Sequence, residues 1–288
     1  MEPWTIRRAI LWTAGYLEGK GADSPRTDAD VLLADALGVD RLRLLLDFDK
    51  PLSPEELAAY RQRIERRAAG EPTAYILGRR EFYGRDFLVD PRVLVPRPET
   101  EGLVELALQD LPENARVLDL CAGSGCVGLT IAAERPGVRV DLVELEPGAA
   151  EVAKANAARL GLADRSRVLV GDLFAPVEDE PPYDAIVSNP PYVPSGEIPG
   201  LSREVRREPH LALDGGPDGL DLVRRLVAQA PRHLVPGGRI AIELSLGQPA
   251  IVADLLREAG FPDARAEADF TRRDRFAAGT LAIGGDGE

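Results

Sequence analysis

Asn189-Pro190-Pro191-Tyr192 is the stretch of this 288-residue chain whose residue types are hardest to read as scaffold. Two consecutive prolines fix φ and remove two backbone donors, so that carbonyls are left free to accept; the asparagine adds an amide oxygen and the tyrosine a flat face. Such a turn can hold a planar group bearing an NH2. It directly follows the apolar run 183–188, YDAIVS, which reads as a strand. The turn therefore belongs at the carboxyl edge of a sheet, where open αβ folds bind ligands. Taken alone, the same four residues also read as a rigid loop.

A second element changes that balance. Val117-Leu118-Asp119-Leu120-Cys121-Ala122-Gly123-Ser124-Gly125-Cys126 runs from an apolar strand into a turn of small residues and on into a helix. Glycines there let a ligand approach the backbone. Glu144 ends the next strand, 21 residues beyond Gly123, where a nucleotide-binding αβ unit places an acid to hold ribose hydroxyls. Turn and acid together point to an adenosine-containing cofactor, although a GSG turn is also a common tight connection and Glu144 could be a solvated strand end. No GxxxxGK[ST] occurs, which excludes a phosphate-gripping loop of that kind, and the turn CAGSGC lacks the first glycine of the pyrophosphate fingerprint.

The remaining reactive residues read as background. Cys121 and Cys126 are the only cysteines, and their spacing fits neither a metal clip nor a redox pair, so both are expected as buried small residues. No metal site is expected. His210 and His233 are expected as solvated or loop histidines without a catalytic role. The formal charge of −13, from 48 acids against 35 bases, repels a phosphate backbone and counts against direct nucleic-acid binding.

These motifs need elements to position them. Residues 3–70 carry helical spacing, as in Ala29, Leu32, Leu33 and Leu37 and again in Leu57, Tyr60, Ile64 and Ala68, which predicts a small helical bundle. Ser53-Pro54-Glu55-Glu56 is a helix start with cap, proline and early acids, and Gly70 a helix end. Between Tyr75 and Val89 aromatic and β-branched residues flank Gly84, which predicts a hairpin. Beyond it, strands at 115–120, 138–144, 166–171, 183–188 and 239–244 alternate with helices at 99–110, 125–134, 148–160, 217–234 and 248–259. This pattern predicts a parallel sheet covered on both faces. Segments 263–269 and 277–283 are expected to pair antiparallel at its edge, and the acidic tip Gly284–Glu288 to fray. No apolar run approaches the ~20 residues of a membrane span, and the N-terminus reads as an amphipathic helix rather than a signal peptide. The expectation is a cytoplasmic monomer.

Asn-Pro-Pro-Tyr in this position resembles the signature of methyltransferases that act on amide or exocyclic amino nitrogens. Within that set, residues 72–103, PTAYILGRREFYGRDFLVDPRVLVPRPETEGL, resemble the hairpin and PRPETE segment of the PrmC/HemK family, protein-(glutamine-N5) methyltransferases that modify peptide chain release factors. GDLF at 171–174, REPHLALDGGPDGLD at 207–221 and RRDR at 272–275 extend the likeness over nearly the whole chain. The resemblance implies a Rossmann-like class I methyltransferase fold, an α/β architecture with a mostly parallel seven-stranded sheet at 96–288. It further implies a helical substrate-recognition domain at 1–73 and a hairpin linker at 74–95. The implied cofactor is S-adenosyl-L-methionine, its methionine part wrapped by Cys121, Ala122, Gly123, Ser124 and Gly125, its ribose held by Glu144, its adenine against Asp172 and Leu173, with Asn189 also beside it. Asn189 and the Pro190 carbonyl would accept hydrogen bonds from a glutamine NH2 of the release factor as the catalytic pair, backed by Pro191 and with Tyr192 on the amide plane. The sequence departs from the fold's commoner pattern at Cys121, where many members have glycine, and at Glu144, where many have aspartate. PRPETE at 96–101 reads equally as a helix start or a substrate contact. A rival within enzymes is an amino-methyltransferase holding a flipped adenine or guanine of nucleic acid in the same turn.

Overall fold

A computed structural model of the chain describes residues 3–283; the expected fraying of Gly284–Glu288 lies outside them. Two compact units are formed, one from Met1–Arg79 with Ser202–Arg207, the other from Arg80–Leu201 with Glu208–Glu288.

The first unit is helical: α1 (Ile6–Glu18), α2 (Pro25–Leu37), α3 (Arg41–Leu46), α4 (Pro54–Ala68) and α5 (Thr73–Leu77). Their apolar stripes meet in one core containing Ile10, Leu17, Leu32, Leu33, Tyr60 and Ile64. The α4 start is a reciprocal capping box, with Glu56 N donating to Ser53 Oγ at 3.2 Å and Ser53 N to Glu56 Oε2 at 2.8 Å. Residues 202–207 join this unit through a charge that no local pattern revealed. The Arg67 guanidinium is buried and donates to Asp28 Oδ2 at 2.8 Å and to Glu204, while Arg203 donates to the Ala68 carbonyl at 3.0 Å. A buried guanidinium requires such partners, since leaving it unpaired costs several kcal/mol.

In the second unit the hairpin is shorter than the sequence pattern gave. Tyr75 to Leu77 belong to α5, which Gly78 ends in the left-handed conformation, and the strands are β1 (Arg79–Phe82) and β2 (Arg85–Leu88). Aromatic residues at helical spacing misled the periodicity argument over so short a segment. Tyr83 and Gly84 both have positive φ, which suits a two-residue hairpin turn.

Beyond the hairpin come α6 (Glu101–Leu108), β3 (Arg116–Leu120), α7 (Cys126–Glu134), β4 (Arg139–Glu144), α8 (Pro147–Arg159), β5 (Ser166–Val170), β6 (Tyr183–Ser188), α9 (Asp221–Gln229), β7 (Leu234–Glu243), α10 (Pro249–Glu258), β8 (Arg265–Ala268) and β9 (Asp274–Thr280). The seven-stranded sheet has the order β5-β4-β3-β6-β7-β9-β8. It is parallel except for β9, which pairs antiparallel with both β7 and β8. β8 and β9 thus form the expected antiparallel pair at the edge, with β8 outermost.

Alternate residues of β3 serve opposite faces, Val117 packing with α6, α7 and α8, and Leu118 and Leu120 with α9 and α10. The strands consequently read as continuous apolar runs. The expected helix 217–234 is only Asp221–Gln229, continued by a 3-10 turn, Ala230–His233. Residue 219 cannot be helical because it sits at φ +79, and a side chain there would collide with the Tyr192 carbonyl.

Candidate functional site

β3 and β6 pair in register from Val117 opposite Ala185 to Leu120 opposite Ser188, and the Ser188 hydroxyl donates to the Leu120 carbonyl at 2.8 Å. The next residues, Cys121 and Asn189, therefore leave the sheet side by side. Strand order reverses between these two strands, the chain running outward through β4 and β5 on one side and β7 on the other. A crevice is expected outside the carboxyl ends of strands at such a switch point. A cavity of about 490 Å³ lies there, in the size range of small-molecule sites.

Its wall includes Cys121, Ala122, Gly123, Ser124, Glu144, Asp172, Leu173, Asn189 and Pro191. Three residues singled out from the sequence are not in it. Gly125 faces inward, where a Cβ would lie 2.9 Å from Leu129 Cδ1. Pro190 is buried, and burial of the Tyr192 phenol, with the Glu243 charge adding to it, raises its pKa. The structure thus joins Asn189 and Pro191 to the cofactor-type turn and leaves Pro190 and Tyr192 outside the wall.

Each wall residue has a traceable constraint. Cys121 takes φ +60, a left-handed conformation costing a non-glycine residue about 1 kcal/mol, which is the physical reason for glycine at this place in many related folds. Burial pushes the Cys121 and Cys126 thiols up to about 12, so neither is a thiolate. The Glu144 carboxylate accepts from Gly123 N at 2.7 Å and from Glu146 N at 3.0 Å. It braces the turn, and with about four lone-pair positions it retains two for a diol. Asp172 is exposed and pairs with Arg225 at 2.6 Å, beside buried Leu173. Asn156, fully buried on α8, donates to the Ser124 carbonyl at 2.9 Å and the Leu88 carbonyl at 3.0 Å and accepts from Leu88 N at 2.7 Å, tying the turn to the hairpin.

Two polar atoms in the wall residues are buried without a partner: Ser124 Oγ and Asn189 Oδ1. The Asn189 amide donates through Nδ2 to Thr100 Oγ1 at 3.3 Å. Orphaned acceptors are rare in folded chains and costly, so both fit a wall awaiting donors.

Sequence reasoning passed over two acids here and had two further residues only within the PRPETE segment. Asp119 is fully buried and accepts from Gly128 N at 2.8 Å; burial still pushes its carboxyl up to about 7, and the Glu144 charge adds to the effect. Glu243, at the end of β7, is likewise buried and pushed up to about 7. Both acids interrupt apolar strand runs, ARVLDL and RIAIEL, and a charge in such a run is the signal that could have found them. Arg97 and Thr100 lie in the wall, with Arg97 held by Glu208. PRPETE therefore lines the cavity and also starts α6 through a 3-10 turn at Pro98–Thr100.

His210 is exposed, whereas His233 is buried and stacked on Phe174 with ring centroids 4.4 Å apart; neither reaches the wall. Burial lowers the His233 pKa, which keeps it neutral. Among the described residues no cluster of three metal-ligating side chains occurs, and no helix is long and apolar enough to cross a membrane.

Comparison with known proteins bears on this site. The PrmC N-terminal domain family matches residues 8–78 and the methyltransferase small domain family residues 101–201. A release factor glutamine methyltransferase of Geobacter sulfurreducens is 47% identical over 97% of this chain and 98% of its own, and one of Moorella thermoacetica is 42% identical over 94% and 96%. The crystal structure of the hMettl16 catalytic domain superposes with a TM-score of 0.57 at 18% identity, covering 78% of this chain and 84% of that one. That likeness is one of fold, the class I methyltransferase sheet.

Proposed function

Because the chain belongs to the release factor glutamine methyltransferases, we propose that it moves a methyl group from S-adenosyl-L-methionine to the side-chain N5 of the glutamine in the Gly-Gly-Gln loop of class I peptide chain release factors, modulating translation termination. The observation carrying this reading is the half-buried Asn189 amide, anchored through its nitrogen, whose buried oxygen has no partner, next to the turn at 121–124.

An amide nitrogen is a poor nucleophile because its lone pair is shared with the carbonyl. When bound, the sulfonium supplies an electrophilic methyl carbon. Asn189 Oδ1 would accept one N–H of the substrate amide and hold its nitrogen beside the cofactor turn, and such positioning supplies much of the acceleration. Positive charge developing on the substrate nitrogen would strengthen its hydrogen bond to the Asn189 oxygen. The methylated nitrogen, strongly acidic while it carries the extra proton, would pass that proton to solvent water, so no dedicated base is required. Pro190 and Pro191 hold the turn that presents Asn189.

For the cofactor, Glu144 has two free lone-pair positions toward a ribose, Leu173 offers an apolar face beside Asp172 for the adenine, and Ser124 Oγ an unpaired polar atom for the methionine part. Charge favours a protein substrate over nucleic acid. The wall holds six acids, Asp119, Glu144, Glu146, Asp172, Asp214 and Asp221, and three arginines that are all paired, Arg92 with Asp90 and Glu151, Arg97 with Glu208 and Arg225 with Asp172.

The test is mass spectrometry of a purified release factor after incubation with the full chain and S-adenosylmethionine. One added methyl on the Gly-Gly-Gln glutamine is expected, while methyl on transfer RNA or DNA instead sinks the reading. Asn189→Ala should bind cofactor normally and turn over about a hundredfold or more slowly, as for loss of a transition-state hydrogen bond.

A further inference from the structure

Two segments frame the cavity beside Asn189. One is the strap before α6, from which Pro96, Arg97 and Thr100 enter the wall; the other is the loop before α9, which contributes Pro209, Leu211 and Asp214. Glu208 bolts them together. Its side chain is 1% exposed, and the carboxylate accepts from Val95 N at 2.9 Å through Oε2 and from Arg97 Nη2 at 2.5 Å through Oε1. The loop is fixed at its far end as well, Val193 N donating to the Leu213 carbonyl and Gly215 N to the Val193 carbonyl, each at 2.9 Å. Val193 follows the NPPY turn, and Asn189 Nδ2 returns to the strap at Thr100 Oγ1. Strap, loop and turn thus close into one hydrogen-bonded frame.

Arg97 is the prepared donor of that frame. Prolines stand on both sides of it, and as the residue before Pro98 it has the extended backbone that place demands, with φ −100 and ψ 144. Glu208 then holds the head of the side chain. A guanidinium carries five N–H groups in a planar fork, and among the described residues Glu208 is its one hydrogen-bond or ion-pair partner, taken through a single nitrogen. The remaining N–H groups are open to a ligand, with about a third of the side chain exposed. Because the carboxylate already balances the charge, the fork suits neutral oxygens rather than a free anion. Through Thr100 the same strap is joined to Asn189, the group that receives the acceptor amide.

We propose that Arg97 grips main-chain carbonyl oxygens of the peptide loop that carries the methylated glutamine, and that Glu208 is a positioning residue acting through it. This rests on the reading of Asn189 and its substrate given above. Glycines beside the glutamine suit the contact, since a backbone without side chains can approach the fork closely. The carbonyls take no part in methyl transfer, so the contact is equally strong before and during the reaction; it lowers KM and leaves kcat nearly unchanged.

The experiment measures kcat and KM for methylation of a purified release factor, with S-adenosylmethionine affinity and Tm by calorimetry, in the full chain and in Arg97→Lys, Glu208→Gln and the double variant. Lysine keeps the charge that pairs with Glu208 but replaces the fork by a point donor. Expected in Arg97→Lys is a KM about tenfold higher, as for loss of a hydrogen bond from a charged donor, with kcat, Tm and cofactor affinity near their parental values. Glu208→Gln should raise KM by a similar factor, and the double variant by no more than the larger single effect, because the two residues act as one unit. A parental KM in Arg97→Lys, or a double variant whose KM rises by the product of the single effects, overturns the proposal and leaves the methyltransferase reading standing. So does a loss of cofactor affinity in Arg97→Lys, which assigns the fork to the cofactor's carboxylate. If the parent protein adds no methyl to the release factor, both readings fall. Should Glu208→Gln not fold, the KM and kcat of Arg97→Lys decide alone.

Discussion

Asp119→Asn is expected to stabilise the protein increasingly as pH rises. Asp119 is fully buried between β3 and the start of α7, has one amide donor at 2.8 Å, and its carboxyl is pushed from the usual 3.8 to about 7 by burial. The folded chain therefore keeps a proton that the unfolded chain gives up above pH 4. This contribution to stability is fully present below 3.8 and is lost as pH rises through about 7. At 1.36 kcal/mol per pH unit, the gap amounts to about 4 kcal/mol by pH 8 and between 1 and 2 kcal/mol at pH 5. Asparagine has nearly the same shape, can still accept from Gly128 N and carries no charge at any pH, so variant minus parent should change by about 3 kcal/mol from pH 5 to pH 8. At about 2–4 °C per kcal/mol for a chain of this size, the variant's advantage in Tm should grow by about 6–12 °C over that range. Differential scanning calorimetry of both proteins at pH 5, 6, 7 and 8, without cofactor, measures it. A difference in Tm that stays flat with pH, or falls, would refute the argument that burial dominates over the Gly128 hydrogen bond.

Cys121→Gly should raise stability by about 1 kcal/mol by relieving the left-handed backbone at φ +60, while Cys121→Val should lower it; thermal melts check both. Asn156→Ala strips partners from three backbone groups, Leu88 N, Leu88 O and Ser124 O, and should cost about 2–4 kcal/mol in denaturant titration. Because one of those groups is in the 121–125 turn, the same variant should also bind S-adenosylmethionine more weakly, as calorimetry would show.

What the sequence decided by itself is local. Apolar runs of strand length alternating with helical spacing specified a covered parallel sheet. The capping box at Ser53 and Glu56 marked its helix from four residues, and the turn at 121–125, the acid at 144 and the NPPY at 189 each announced themselves by residue type. These features are readable because periodicity, capping and φ restriction act within a few residues. The sequence pattern failed where two local signals overlapped, as at Tyr75–Leu77, where helix and strand were not separable over one turn.

The tertiary structure decided everything that depends on who sits beside whom. Strand order placed β6 against β3, so Cys121 and Asn189 emerge together although 68 residues apart in the chain. Burial made Asp119 and Glu243 reluctant acids, a property of the low-dielectric sheet interior rather than of either side chain. Packing desolvated the Tyr192 phenol, and the buried Arg67 drew residues 202–207 to the helical unit. Such outcomes are sums over contacts distant in sequence, set by which surfaces exclude water together, and no window of neighbouring residues contains them.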